Sequence, residues 1–163
     1  MTDKDQFIQL IKAAAIKLYP KYHIPCSISI AQACLESYYG KYDMGVHNLF
    51  GFKGTGPAGS VDKTTHEFDT KTQTYIKVVQ KFRAYNSVEE SLDDYQRNLS
   101  TNKAYKKARE YLTDPKNFAH KLTGVYATDP NYGDKLISLM DKYDLYQYDP
   151  FYKKGGSNEA PKN

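Results

Sequence analysis

The chain has no tryptophan, only two cysteines in 163 residues, and no apolar run long enough to span a bilayer. Two cysteines are too few for a disulfide-stapled scaffold. If Cys26 and Cys34 share a helix, eight residues set them about 12 Å apart along its axis. A disulfide needs Cα atoms within about 7 Å, so both read as free thiols, and their spacing is not that of metal ligands. The four histidines, His23, His47, His66 and His120, are scattered, with no His-Glu-x-x-His pattern. No metal and no other cofactor is therefore expected. There is also no block of lysine or arginine. The net charge of +4 argues against a nucleic-acid partner and suits weak attraction to an anionic polymer such as a cell wall. The opening MTDKDQFIQL is charged and helix-like, so it is not a signal peptide. No membrane partner is expected, and an extracellular, cell-wall or virion-associated destination would need a removed leader or a separate export route.

What the chain does hold is tyrosine, 16 of them. An aromatic ring with one polar edge suits a sugar, which shows an apolar face and a rim of hydroxyls. Charged residues at 26% and hydrophobic residues at 40% fit a globular protein. The length fits one domain, expected over residues 1–149, with a linker-like tail over 150–163 where FYKKGGSNEAPKN turns polar and glycine-rich.

The informative stretch is Ser27 to Gly54. Ile28, Ala31 and Leu35 recur at helical spacing behind Pro25, and Gly40 is the expected left-handed stop. One carboxylate, Glu36, falls in the last turn. The negative end of the helix dipole and partial burial both disfavour its charged form. A carboxylic acid that keeps its proton near neutral pH is what a general acid requires. Before this helix, Phe7, Leu10, Ile11, Ala14 and Leu18 line one face of a helix over residues 3–18, which Tyr19-Pro20 should end.

After it, NLFGFKGTGPAGS predicts a packed, glycine-rich loop. It lacks the Gly-Lys-Ser/Thr ending of a phosphate cradle. TTHEFD and TYIKVVQKFRAY predict a hairpin turning at Asp69–Thr72, with Glu67 in its first arm. Ser87 and Glu90 form a capping-box pattern opening a helix through Leu99. A short helix is expected over Tyr105–Tyr111. Asp114-Pro115 and Asp129-Pro130 each read as cap plus first helical residue, opening helices to about Leu122 and Tyr143. The sum is an α+β domain, mostly helical with one small hairpin lobe.

AQACLESYYGKY, NLFGFKG, TTHEF, FRAYNSVEESLDDY and YATDPNYGDKL, in that order, resemble glycoside hydrolase family 73, the bacterial and phage N-acetylglucosaminidases of peptidoglycan. The resemblance covers roughly residues 5 to 145. It implies a lysozyme-like α+β fold with the hairpin bordering a substrate groove, a glycan strand as partner, and a monomer. It also implies cleavage of the β-1,4 bond between N-acetylglucosamine and N-acetylmuramic acid. The family's acid falls on Glu36 and its second glutamate on Glu67, as water-activating base or charge stabiliser. The tyrosine that supports catalysis falls on Tyr126. Gln32, Tyr39, Asn48, Phe50 and Tyr132 fall on positions expected to bind substrate, Gln32 by hydrogen-bonding Glu36 or the sugar. Many members have Gly-Trp where this chain has Tyr38-Tyr39, which bears on subsite shape and not on the acid. The rival readings are a muramidase or lytic transglycosylase, which also uses one helix-borne glutamate, and a non-catalytic wall-binding module. A cysteine amidase built on Cys34 lacks an identifiable partner.

Overall fold

A computed structural model describes residues 1–153. Its centre is helix α2, Cys26–Ser37, in which every residue from Cys26 to Cys34 is buried. A stretch buried on every side is surrounded by other elements, and its polar Ser27, Ser29 and Gln32 find their partners inside. Helix α1 (Asp3–Tyr22) packs on it, as do α4 (Pro115–Leu122), α5 (Tyr132–Lys142) and a 3-10 turn at Leu145–Tyr148. Helix α3 (Val88–Thr101) packs across α1. Ile11, Ile24, Ile28, Ile30, Leu92, Leu99, Phe118, Leu122, Leu136 and Met140 fill the space between. Both cysteines are buried and free, as their spacing predicts.

Four helix boundaries differ from expectation. Helix α1 runs through Pro20 to Tyr22. Proline removes one N–H close to the helix end, where carbonyls already lack partners. His23 then turns left-handed and gives its N–H to the Tyr19 carbonyl at 2.8 Å. Helix α2 stops at Tyr38, not Gly40, and Tyr38, Tyr39 and Gly40 all carry positive φ. The expected short helix after α3 is two 3-10 turns, Lys103–Tyr105 and Ala108–Tyr111. Helix α5 begins at Tyr132, because the Asp129 carboxylate takes the Asn131 N–H at 2.9 Å and makes a turn, not a cap.

The caps read at Ser87 and Asp114 are present, and α1 carries one that the sequence reading did not name. Thr2 and Asp5 close a reciprocal box on α1, and Asp114 caps α4 ahead of Pro115. Ser87 accepts the Glu90 N–H at 3.1 Å, while the Glu90 carboxylate returns to Asn86 N–H, one residue outside the standard box. The hairpin comprises β1 (Ser60–Asp69) and β2 (Thr74–Arg83), antiparallel, with Glu67 opposite Ile76. Its first arm starts four residues earlier than TTHEFD suggests. It stands off the helical body: Phe68, Tyr75, Ile76 and Val79 are exposed, and Phe82 at its root is buried. The Asn48 side chain pins this root, donating to the Phe52 and Arg83 carbonyls at 2.9 Å each.

The described chain closes on itself at Asp149. Its buried carboxylate accepts from the Ser27 N–H at 2.9 Å and the Ser27 hydroxyl at 2.6 Å, at the first turn of α2. Tyr152 then donates its N–H to the Asp149 carbonyl. The rest of the expected tail, residues 154–163, lies outside the described residues.

Candidate active site

Glu36 lies in the last turn of α2, half-buried, where the helix leaves the core for the left-handed tyrosines. Its Oε1 accepts a hydrogen bond from the Tyr132 hydroxyl at 2.7 Å. Among the described residues no other side chain bonds it, so Oε2 is uncommitted. Burial pushes the carboxyl above its ordinary range, and the Tyr132 bond pulls part of the way back. Because burial dominates, the group keeps its proton to a higher pH than a solvated glutamate would.

Behind Tyr132 stands a line of buried polar groups. Gln32, one turn before Glu36 on α2, donates through Nε2 to the Tyr132 oxygen at 2.9 Å. The Gln32 carbonyl accepts from the Tyr95 hydroxyl of α3. Gln32 is 0% exposed and both ends of its amide are used inside the protein. A direct sugar contact therefore does not fit its position, and the direct hydrogen bond to Glu36 that was the other expectation is not made either: Tyr132 stands between the two. Tyr132 itself is buried at the start of α5.

The neighbouring rings are ordered by stacking. Tyr126 lies on Tyr132 at 5.7 Å between centroids and 16° between planes. Phe50 lies on Tyr95 at 4.0 Å and 6°. The Tyr126 hydroxyl is buried and, among the described residues, has no hydrogen-bond partner. Burial, and after it the nearby Glu36 charge, holds that phenol far above its ordinary value. Such an unpartnered hydroxyl is costly to keep. Phe50 and Asn48 are both buried and serve the ring stack and the hairpin root. Tyr39 is partly buried, shares a hydroxyl contact of 3.1 Å with Tyr143 and packs edge-on against Phe7.

Glu67 is on a different element. It is exposed, near the far end of β1, and receives the Gln80 amide from β2. Cys34 is 1% exposed in the core, and burial pushes its thiol up to about 12, which fits a packing residue and not a nucleophile. Among the described residues no group of three or more His, Cys, Asp or Glu is placed to hold a metal ion, and no helix is long and apolar enough to cross a membrane. Tyr95 is the site residue that sequence reasoning missed. It sits in the Leu92–Tyr95–Leu99 stripe, which reads as ordinary core, and only its hydroxyl separates it from that role.

A family model described as glucosaminidase, mannosyl-glycoprotein endo-beta-N-acetylglucosaminidase, matches residues 12–145. The exo-glucosaminidase LytG of Bacillus subtilis is 35% identical over 90% of this chain and 54% of its own length. A probable N-acetylmuramidase of Lactococcus lactis is 33% identical over 96% of this chain and 37% of its own. The chain thus spans about half or less of these curated relatives. The crystal structure of the catalytic domain of the autolysin Auto from Listeria monocytogenes superposes with a TM-score of 0.83 at 36% identity, covering 91% of this chain and 89% of that one.

Proposed function

The chain belongs to the glucosaminidase family, glycoside hydrolase family 73, and from that premise we propose that it cuts peptidoglycan as an endo-β-N-acetylglucosaminidase. The bond is the β-1,4 link between N-acetylglucosamine and N-acetylmuramic acid, and Glu36 is the general acid. One observation carries this reading: Glu36 is a half-buried carboxyl whose proton burial holds to higher pH than a solvated glutamate's, and among the described residues it has one side-chain donor, Tyr132, which leaves Oε2 free.

In this reading Glu36 gives its proton to the bridging oxygen as the bond to the anomeric carbon breaks. The positive charge that develops is met by a carboxylate or by the substrate's own N-acetyl group. The Glu36 anion left behind keeps the Tyr132 hydrogen bond. Glu67 activates the water, and the unpartnered Tyr126 hydroxyl supplies a hydrogen bond as the transition state forms. Tyr39 borders the sugar, Phe50 and Asn48 support the site from behind, and the place of action is the cell wall.

Glu36→Gln keeps the size of the side chain and removes the proton. Digestion of purified walls should fall by at least about 10³-fold with the melting temperature preserved. A variant that digested walls near the parent rate would overturn the assignment. A muramidase reading is favoured by the name of the Lactococcus relative. Mass spectrometry of the reducing ends separates the two. N-acetylglucosamine there supports the proposal, and N-acetylmuramic acid or its anhydro form supports the rival.

A further inference from the structure

We propose that Gln32 and Tyr95 are positioning residues for Glu36: they hold the Tyr132 hydroxyl with its proton toward Oε1, which leaves Oε2 as the oxygen that carries and delivers the acid's proton. The proposal rests on the general-acid reading of Glu36 and adds how that acid is oriented.

A phenol has one proton, so toward any one partner it either donates or accepts. Left to itself, Tyr132 could equally take the proton of Glu36, which would turn the acid inward. The Gln32 Nε2–H bond occupies the Tyr132 oxygen at 2.9 Å, so the Tyr132 proton points on to Glu36 at 2.7 Å. An amide, however, can turn over. With its carbonyl toward Tyr132, Gln32 would draw that proton away and leave Glu36 to donate into the core. The Tyr95 hydroxyl, donating to the Gln32 carbonyl, opposes this. Tyr95 is itself fixed by the Phe50 stack and is 0% exposed. The direction of donation therefore runs from Tyr95 through Gln32 and Tyr132 to Glu36.

The groups that face Glu36 leave little else to set its proton. They are the phenols of Tyr132 and Tyr126, with Tyr95 farther back, and burial holds all three far above their ordinary range. They stay protonated wherever the enzyme works. Among the described residues no lysine, arginine or histidine pairs with Glu36.

The test is the pH profile of turnover on solubilised glycan strands for Tyr95→Phe and Gln32→Met. Both free Tyr132 to rotate, so Glu36 loses part of the bond that favours its charged form. The basic limb of the profile should move to higher pH, and kcat should fall about tenfold with KM little changed. Tyr146→Phe is the control. It also deletes one buried phenol oxygen, here from a 2.6 Å bond to Asp141, away from Glu36. It should leave the limb in place even if it lowers the melting temperature. If Gln32→Met does not fold, Tyr95→Phe, which removes a single oxygen atom, carries the test. Parent-like limbs in the variants, or an equal shift in Tyr146→Phe, overturn the proposal. An active Glu36→Gln overturns the general-acid reading instead, and the two failures are read from different proteins.

Discussion

Two glutamates, Glu36 and Glu67, share a chemistry and differ in surroundings. Glu36 is half-buried with one phenol donor. Glu67 is exposed and held by the Gln80 amide across the hairpin. An acid that must keep its proton gains from burial, while a carboxylate that must take a proton from water gains from being wet. Glu67→Gln is therefore a test of division of labour. The side chain is on a solvated strand face, so folding should change by less than about 0.5 kcal/mol. Turnover should fall about 10²-fold, while binding to insoluble walls stays within about twofold of the parent. Pull-down and dye-release assays run in parallel check this, and weaker binding with intact turnover would contradict it. The position of Glu36 in the last turn of α2, before the tyrosine-glycine break, was legible in the sequence. That Gln32 and Asn48 are buried was not. Nothing in a residue's type says whether its polar end finds a partner inside or outside the protein.

Helix α2 was legible as an element because its apolar positions recur at helical spacing, whereas the burial of Ser27, Ser29 and Gln32 among them was not legible. The hairpin was legible from β-branched and aromatic runs around a polar turn. What those runs did not disclose is that its apolar side chains face solvent, with Tyr75 73% exposed. Strand propensity reports fit to a pleated surface and says nothing of what covers it. The break after α2 shows a similar limit. Glycine is the residue expected at a left-handed stop, yet Tyr38 takes that place, and Gly40 is needed for a second reason. Its φ is +84°, and a Cβ there would lie 2.8 Å from the Phe7 ring of α1. Gly40→Ala should thus combine backbone strain with overpacking. About 2–4 kcal/mol of stability should be lost, with Phe7 pushed off Tyr39. Chemical denaturation measures the loss. A change under about 0.5 kcal/mol would mean that the left-handed turn and the Phe7 contact do not hold this end of α2.

At the scale of the whole molecule, the two ends of α2 are held by distant parts of the chain. Its C-terminal turn meets α5 through Glu36 and Tyr132. Its N-terminal turn meets Asp149, 122 residues on from Ser27. No local pattern could reveal that clamp, since its partners meet only after the helices have packed. Burial lifts the Asp149 carboxyl from an ordinary value near 3.8 to about 6, against the pull of the Ser27 hydrogen bonds. A folded-state pKa above the unfolded one means that the native protein takes up a proton between those values. The stabilisation is complete below about pH 4 and is lost as pH rises through about 6. A shift of this size corresponds to roughly 3 kcal/mol at most. Asp149→Asn keeps an acceptor for the Ser27 N–H and cannot ionise, so its stability should lack this component. Urea unfolding of both proteins at several pH values from 4 to 7.5 isolates it, because every other titrating carboxylate is shared. The variant should gain on the parent as pH rises through 6. Parallel curves would show that the carboxylate is ionised throughout, held by the Ser27 bonds and the positive end of the helix dipole, and that the clamp is electrostatic from the start.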